Sequence, residues 1–144
     1  MDKFKKTIIL LTLTVCIFSV KAQEPLAIVV NKNNPVEQLS RSELIDLFMG
    51  KYVAFPNNVK ATPVELNGDH TIKIDFYRKL VGMPLSRVNA YWSRLRFTGR
   101  KRVTVFKSNE NDLIAFIVAN KQAIGYVPQS LITEDLKVVY ILNE

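Results

Sequence analysis

Leu26-Ala27-Ile28-Val29-Val30, closed by Asn31-Lys32-Asn33-Asn34-Pro35, is the stretch on which the fold turns. Five apolar residues in a row, without polar alternation, are the pattern of a strand covered on both faces. The Asn- and Pro-rich segment behind it supplies turn chemistry. Downstream, Ser40 and Glu43 stand at capping-box spacing, and Leu44, Ile45, Leu47 and Phe48 follow on one helical face. Gly50 stands where such a helix would end, so Arg41 to Met49 is expected to be a short helix. The same alternation continues to the end of the chain. Strands are expected at Ala61 to Leu66, Arg102 to Phe106, Ile124 to Val127 and Lys137 to Leu142. Helices are expected from His70 to the Gly82-Met83-Pro84 break, from Ser86 to Phe97, and from Ser108 or Asn109 to about Asn120. Apolar strands that alternate with helices predict an α/β fold: a single lobe with a mostly parallel sheet flanked by helices.

The 144 residues carry 20 Lys+Arg against 13 Asp+Glu, a net charge of +7. Residues 1–22 are read apart from the fold. Lys3, Lys5 and Lys6 form a basic start, and Thr7 to Val20 is an uncharged apolar run, shorter than the ~20 residues needed to cross a bilayer. Val20-Lys21-Ala22 then has the form of a signal-peptidase site. The expectation is a secretory signal cut between Ala22 and Gln23, an exported or periplasmic product with no stable membrane insertion, and one domain at 23–144. Cleavage removes four lysines and one aspartate, leaving a charge of +4. It also removes Cys16, the single cysteine; Leu13-Thr14-Val15-Cys16 has Val where a lipid-attachment site takes Gly or Ala.

The expected mature chain, without cysteine and with one histidine, His70, would have no disulfide, no thiol nucleophile and no multi-histidine metal site. No Gly-x-Ser-x-Gly elbow is present, and Asp69 and His70 are too close in sequence to face each other in a relay; Asp69 is instead a candidate N-cap of the helix that follows, accepting from the Thr71 or Ile72 N–H. The expectation is a protein that is not an enzyme, with no metal and no cofactor. Arg94, Arg96, Arg100, Lys101 and Arg102 superficially suggest a nucleic-acid patch. Tyr91, Trp92 and Leu95 share the buried stripe of their helix, however, which leaves the arginines as a solvated face and argues against nucleic acid. The informative places are the loops behind strands: Asn31 to Asn34, Asn67 to Thr71 and Lys107 to Asn109. In α/β sheets ligands sit at such loops. Two of them open helices, whose first turns offer unpaired N–H groups and positive potential to an anion.

The order of segments resembles the phosphate-binding proteins of bacterial ABC importers, in the type 2 periplasmic binding-protein superfamily. Ser42-Glu43-Leu44-Ile45-Asp46-Leu47-Phe48-Met49-Gly50-Lys51 resembles that family's "L-x-x-I-F-x-G-K" stretch, and Ala123-Ile124-Gly125-Tyr126-Val127 its "I-G-Y-V" strand. Tyr91 to Gly99 is similar to short, single-lobe members. The resemblance implies a counterpart of the second of two lobes, without the Ser/Thr-rich phosphate loop of the first. The family's other phosphate loop, about "R-x-D-G-S-G-T", is matched by Glu65-Leu66-Asn67-Gly68-Asp69-His70-Thr71, where the arginine and the Ser-Gly pair are missing.

What the resemblance implies is a phosphate or small-oxyanion site at Asn67, Gly68, Asp69, His70, Thr71 and Lys73, with Asn31 and Ser108 contributing from neighbouring loops. Backbone N–H groups, the Thr71 hydroxyl and the Lys73 ammonium would donate, and Asp69 would accept from a protonated oxyanion. The implied role is that of a substrate-binding component or ligand sensor linked to phosphate transport. The alternative is a protein-interaction module of the same fold, ligand-free, docking to an envelope transporter or sensor.

Overall fold

The computed structural model describes residues 23–143. The expected signal segment and its cleavage site at Ala22 lie outside the described residues, apart from Gln23. Nine elements follow one another: β1 (Leu26–Asn31), α1 (Arg41–Phe48), β2 (Thr62–Leu66), α2 (Thr71–Val81), α3 (Leu85–Phe97), β3 (Val105–Lys107), α4 (Glu110–Ala119), β4 (Ala123–Pro128) and β5 (Leu136–Leu142). Among the described residues, no helix is long and apolar enough to cross a membrane.

The strands form one sheet in the order β3-β2-β4-β1-β5. β2 runs parallel to β3 and to β4. β1 runs antiparallel to both of its neighbours, β4 and β5. Four strands therefore share one direction, and β1 alone opposes them. Every residue of β1 is buried, as its apolar run requires. That run reports coverage of both faces and carries no information about direction, so the reversal is new from the structure.

Alternation along β4 assigns the helices to their layers. Gly125 faces α4, where a Cβ would lie 2.9 Å from Ile117 Cδ1 and 3.2 Å from Leu113 Cδ2. Tyr126, the next residue, points to the opposite face and stacks on Phe76 of α2, with ring centres 4.0 Å apart. Phe48 of α1 meets the Phe76 ring edge-on at 4.8 Å. One sheet face is thus covered by α4 and the other by α1 and α2, with α3 packed beside α2. The absent side chain at Gly125 lets α4 seat closely on the sheet.

Local sequence signals explain the helix starts. Ser40 and Glu43 form the expected capping box on α1: the Ser40 N–H donates to the Glu43 carboxylate at 2.7 Å, and the Glu43 N–H to Ser40 Oγ at 3.2 Å. Gly50 follows the last turn with φ +73°, the left-handed conformation that glycine adopts at least cost. β3 is shorter than expected and shifted towards Lys107. Arg102 lies before the strand, and its guanidinium reaches the buried Glu65 carboxylate.

Candidate functional site

The shared direction of β2 and β3 brings their carboxyl ends together at one rim of the sheet. There the Asn67 N–H donates to the Lys107 carbonyl at 2.9 Å and fixes the loop that leads into α2. Gly68 turns that loop with φ +59°. The N-cap of α2 is His70, where Asp69 was the residue expected: His70 Nδ1 accepts from the Ile72 N–H at 3.3 Å. Its Nε2 lies 3.7 Å from the Glu110 carboxylate of α4. The N–H groups of Thr71 and Lys73 have no protein acceptor among the described residues.

The two helix starts at this rim differ electrostatically. α4 is capped by Asn109, which accepts from the Asp112 N–H at 2.9 Å, and its first turn carries Glu110 and Asp112. Those carboxylates already occupy the positive end of its dipole. Ser108 is exposed beside them. The first turn of α2 contains no acidic residue.

Lys73, in that first turn, is buried. Its ammonium lies 5.0 Å from the centre of the Phe106 ring, with no carboxylate within 4 Å and no hydrogen-bond partner among the described residues. Burial holds its pKa below the ordinary lysine value, and nearby Arg102 pushes the same way against the opposing pull of Glu65 and Asp69. Beneath it, Glu65 is fully buried in β2. Its carboxylate accepts from the Tyr77 hydroxyl at 2.6 Å and from Arg102 Nη2 at 2.5 Å. Burial raises the pKa of Tyr77 well above its ordinary value, and the adjacent Glu65 adds to this. Arg102 therefore pairs directly with Glu65, and the Lys73 ammonium stands nearby without a direct ion pair of its own among the described residues.

Glu65, Tyr77 and Arg102 escaped the sequence reading. A signal was present: one carboxylate in the apolar run Val64-Glu65-Leu66 must find a cation when the strand is buried.

Asn31 is not brought to this rim. It ends the reversed strand, so it lies at the opposite end of the sheet, where its amide donates to the Ile117 and Val118 carbonyls at 3.1 and 2.7 Å. Its role there is to cap the last turn of α4. Thr71 and Asp75, one turn apart on α2, line a hollow of about 210 Å³ that also includes Glu24. Asp75 is ion-paired there with Arg78 at 2.5 Å and Lys79 at 2.9 Å, whereas Lys73, on the flank towards β3, has no such pair among the described residues. Among the described residues, no group of three His, Cys, Asp or Glu side chains gathers to hold a metal.

No protein-family model matches this chain, and no curated protein matches by sequence. Solved structures do match. One is a protein from Clostridium perfringens assigned as a phosphate ABC transporter substrate-binding protein and solved with bound phosphate: TM-score 0.66, 17% identity, covering 81% of this chain and 44% of that one. Another is an ABC-type phosphate transport receptor from Vibrio cholerae: TM-score 0.64, 18% identity, covering 81% of this chain and 45% of that one. The chain spans less than half the length of either. Its architecture is that of one part of a phosphate-transport substrate-binding protein.

Proposed function

We propose that this protein binds phosphate or a closely related oxyanion at the start of α2, as a non-enzymatic substrate-binding component or ligand sensor linked to phosphate transport. The observation that carries the reading is Lys73: its side chain is largely buried and its ammonium has no hydrogen-bond or ion-pair partner among the described residues, in a helix first turn where the Thr71 and Lys73 N–H groups are also unpaired. A partly desolvated cation with no direct partner gains from a close anion, and a bound oxyanion supplies one. The fold shared with proteins that handle phosphate supports the choice of anion. In this reading the donors are the backbone N–H groups around Gly68 to Thr71 together with Lys73, and Asp69 would accept from a protonated oxyanion.

Calorimetric titration with inorganic phosphate, with sulfate as comparison, tests this. Lys73→Met should weaken phosphate binding by about 1.5–3 kcal/mol, the usual loss for a hydrogen bond to a charged group. Binding should also depend on pH in a defined direction. The free-state pKa of Lys73 is lowered and the bound anion raises it, so complex formation takes up protons. Affinity then falls as pH rises through the lowered pKa towards 10.5. Wild-type protein with no phosphate affinity at millimolar concentration, or undiminished affinity in Lys73→Met, overturns the reading.

The same reading places the protein outside the cytoplasm, after cleavage behind Ala22. Intact-mass measurement of the product should give a chain beginning at Gln23. A product that retains Met1, or carries lipid on Cys16, contradicts it.

A further inference from the structure

β3 ends the sheet, and among the described residues nothing pairs with its outer edge. The Lys107 carbonyl turns inward to Asn67; by strand alternation, Phe106 presents its own N–H and C=O outward. Beside this edge runs a groove of about 700 Å³, lined by Trp92, Arg96, Arg100, Lys101, Arg102 and Phe106. Its floor is a stack: the Arg102 guanidinium lies 4.4 Å from the Trp92 ring centre and 5.1 Å from that of Phe106. Glu65 pins this guanidinium from below, so the stack is preorganised. Trp92 is only 8% exposed, and its indole N–H is the one buried side-chain polar atom without a partner among the described residues.

The rim has the opposite character. Arg96, Arg100 and Lys101 are exposed, and none of them pairs with a carboxylate among the described residues. Phe97, 92% exposed, and Val103 add apolar surface next to them. A free strand edge bordered by cations repels a second copy of itself, which is how natural edges avoid self-pairing. It attracts a strand of the opposite charge.

We propose that the β3 edge and its groove take an extended acidic segment of a partner protein as an added strand. One apolar side chain would rest on the Arg102–Phe106 floor, and carboxylates on either side would meet Arg96, Arg100 and Lys101. Main-chain pairing at Phe106 supplies affinity, and alternate side chains supply selectivity. The groove adjoins the proposed phosphate site, because Lys73 lies over the same Phe106 ring, but its own contacts are the β3 edge, Trp92 and the basic rim.

Trp92 is the single tryptophan of the chain, so its fluorescence reports the groove directly. Two blocked pentapeptides of equal composition and charge test the geometry: Glu-Thr-Phe-Thr-Glu and Thr-Glu-Phe-Glu-Thr. Only the first places phenyl and both carboxylates on one face of a strand. It should shift Trp92 emission saturably at millimolar concentration, bind about tenfold tighter than its isomer, and protect the Phe106 amide from hydrogen exchange. Arg100→Glu combined with Lys101→Glu should abolish this while leaving the melting temperature unchanged, because both residues are exposed and unpaired. Thr71→Val should leave it intact. Equal binding of the two peptides would reduce the site to diffuse charge, and an equal response to oligothymidylate would make it a general polyanion surface. Either result, or no saturable change in emission and no protection at Phe106, overturns the proposal.

Discussion

Arg102→Met should destabilise the protein by about 3–5 kcal/mol, the usual cost of stripping the partner from a buried charge. Glu65 is fully buried in the sheet, and Arg102 is the cation within salt-bridge distance of its carboxylate. Tyr77 remains as a donor, but one neutral hydrogen bond does not balance a carboxylate removed from water. The double change Glu65→Leu with Arg102→Met should recover part of the loss, since apolar residues often replace a buried pair without penalty, less about 1–3 kcal/mol for the Tyr77 hydroxyl, which loses both partners. Urea denaturation of the four proteins of this cycle measures the coupling. Additive single and double changes would mean that the pair does not act as a unit. Arg100→Met serves as the contrast: an exposed arginine with no partner should change stability by about 0.5 kcal/mol or less.

Gly50→Ala is expected to cost about 2–5 kcal/mol, from two separate causes. The residue sits at φ +73°, where an L side chain loses about 1–2 kcal/mol. The new Cβ would also lie 2.5 Å from Cη2 of Trp92, and overpacking of this kind costs typically about 1–3 kcal/mol. Trp92 has little room to yield, because Arg102 lies against one face and Tyr91 meets it edge-on with ring centres 5.4 Å apart. Tyr91 is itself held by its hydroxyl, which donates to the Met49 carbonyl at 2.8 Å. Gly82→Ala isolates the first cause: φ is +67° there, and nothing lies within 4 Å of the added carbon. Thermal denaturation should therefore rank Gly50→Ala well below Gly82→Ala, with a red-shifted Trp92 emission in the former alone. Equal stabilities would show that the indole moves aside freely.

The parts of this fold that were legible in the sequence are those set by short-range rules. The apolar run of β1, the Ser40–Glu43 box and the helix end at Gly50 each depend on residues within a few positions of one another. Strand direction does not, and the reversal of β1 separated Asn31 from the other candidate residues. The cap of α2 fell to His70 instead of Asp69 because either side chain can accept from the Ile72 N–H, a choice made by backbone geometry. Lys73 entered through the loop it follows; its burial came from Phe106, far away in sequence. Arg102 looked like one more member of a solvated basic run. Only the position of Glu65, across the sheet, distinguishes it from Arg100 and Lys101.

The reversed strand also orders events in time. β1 is the first element among the described residues, and both of its neighbours, β4 and β5, are the last two strands described. Its main-chain partners arrive roughly a hundred residues later, and contacts of such sequence separation slow folding. Until then its buried apolar residues have no sheet to join. The domain cannot complete its hydrophobic centre before β5 emerges, so until then β1 is an apolar segment without its sheet partners. A chaperone that held this segment extended would be holding the strand whose docking completes the sheet.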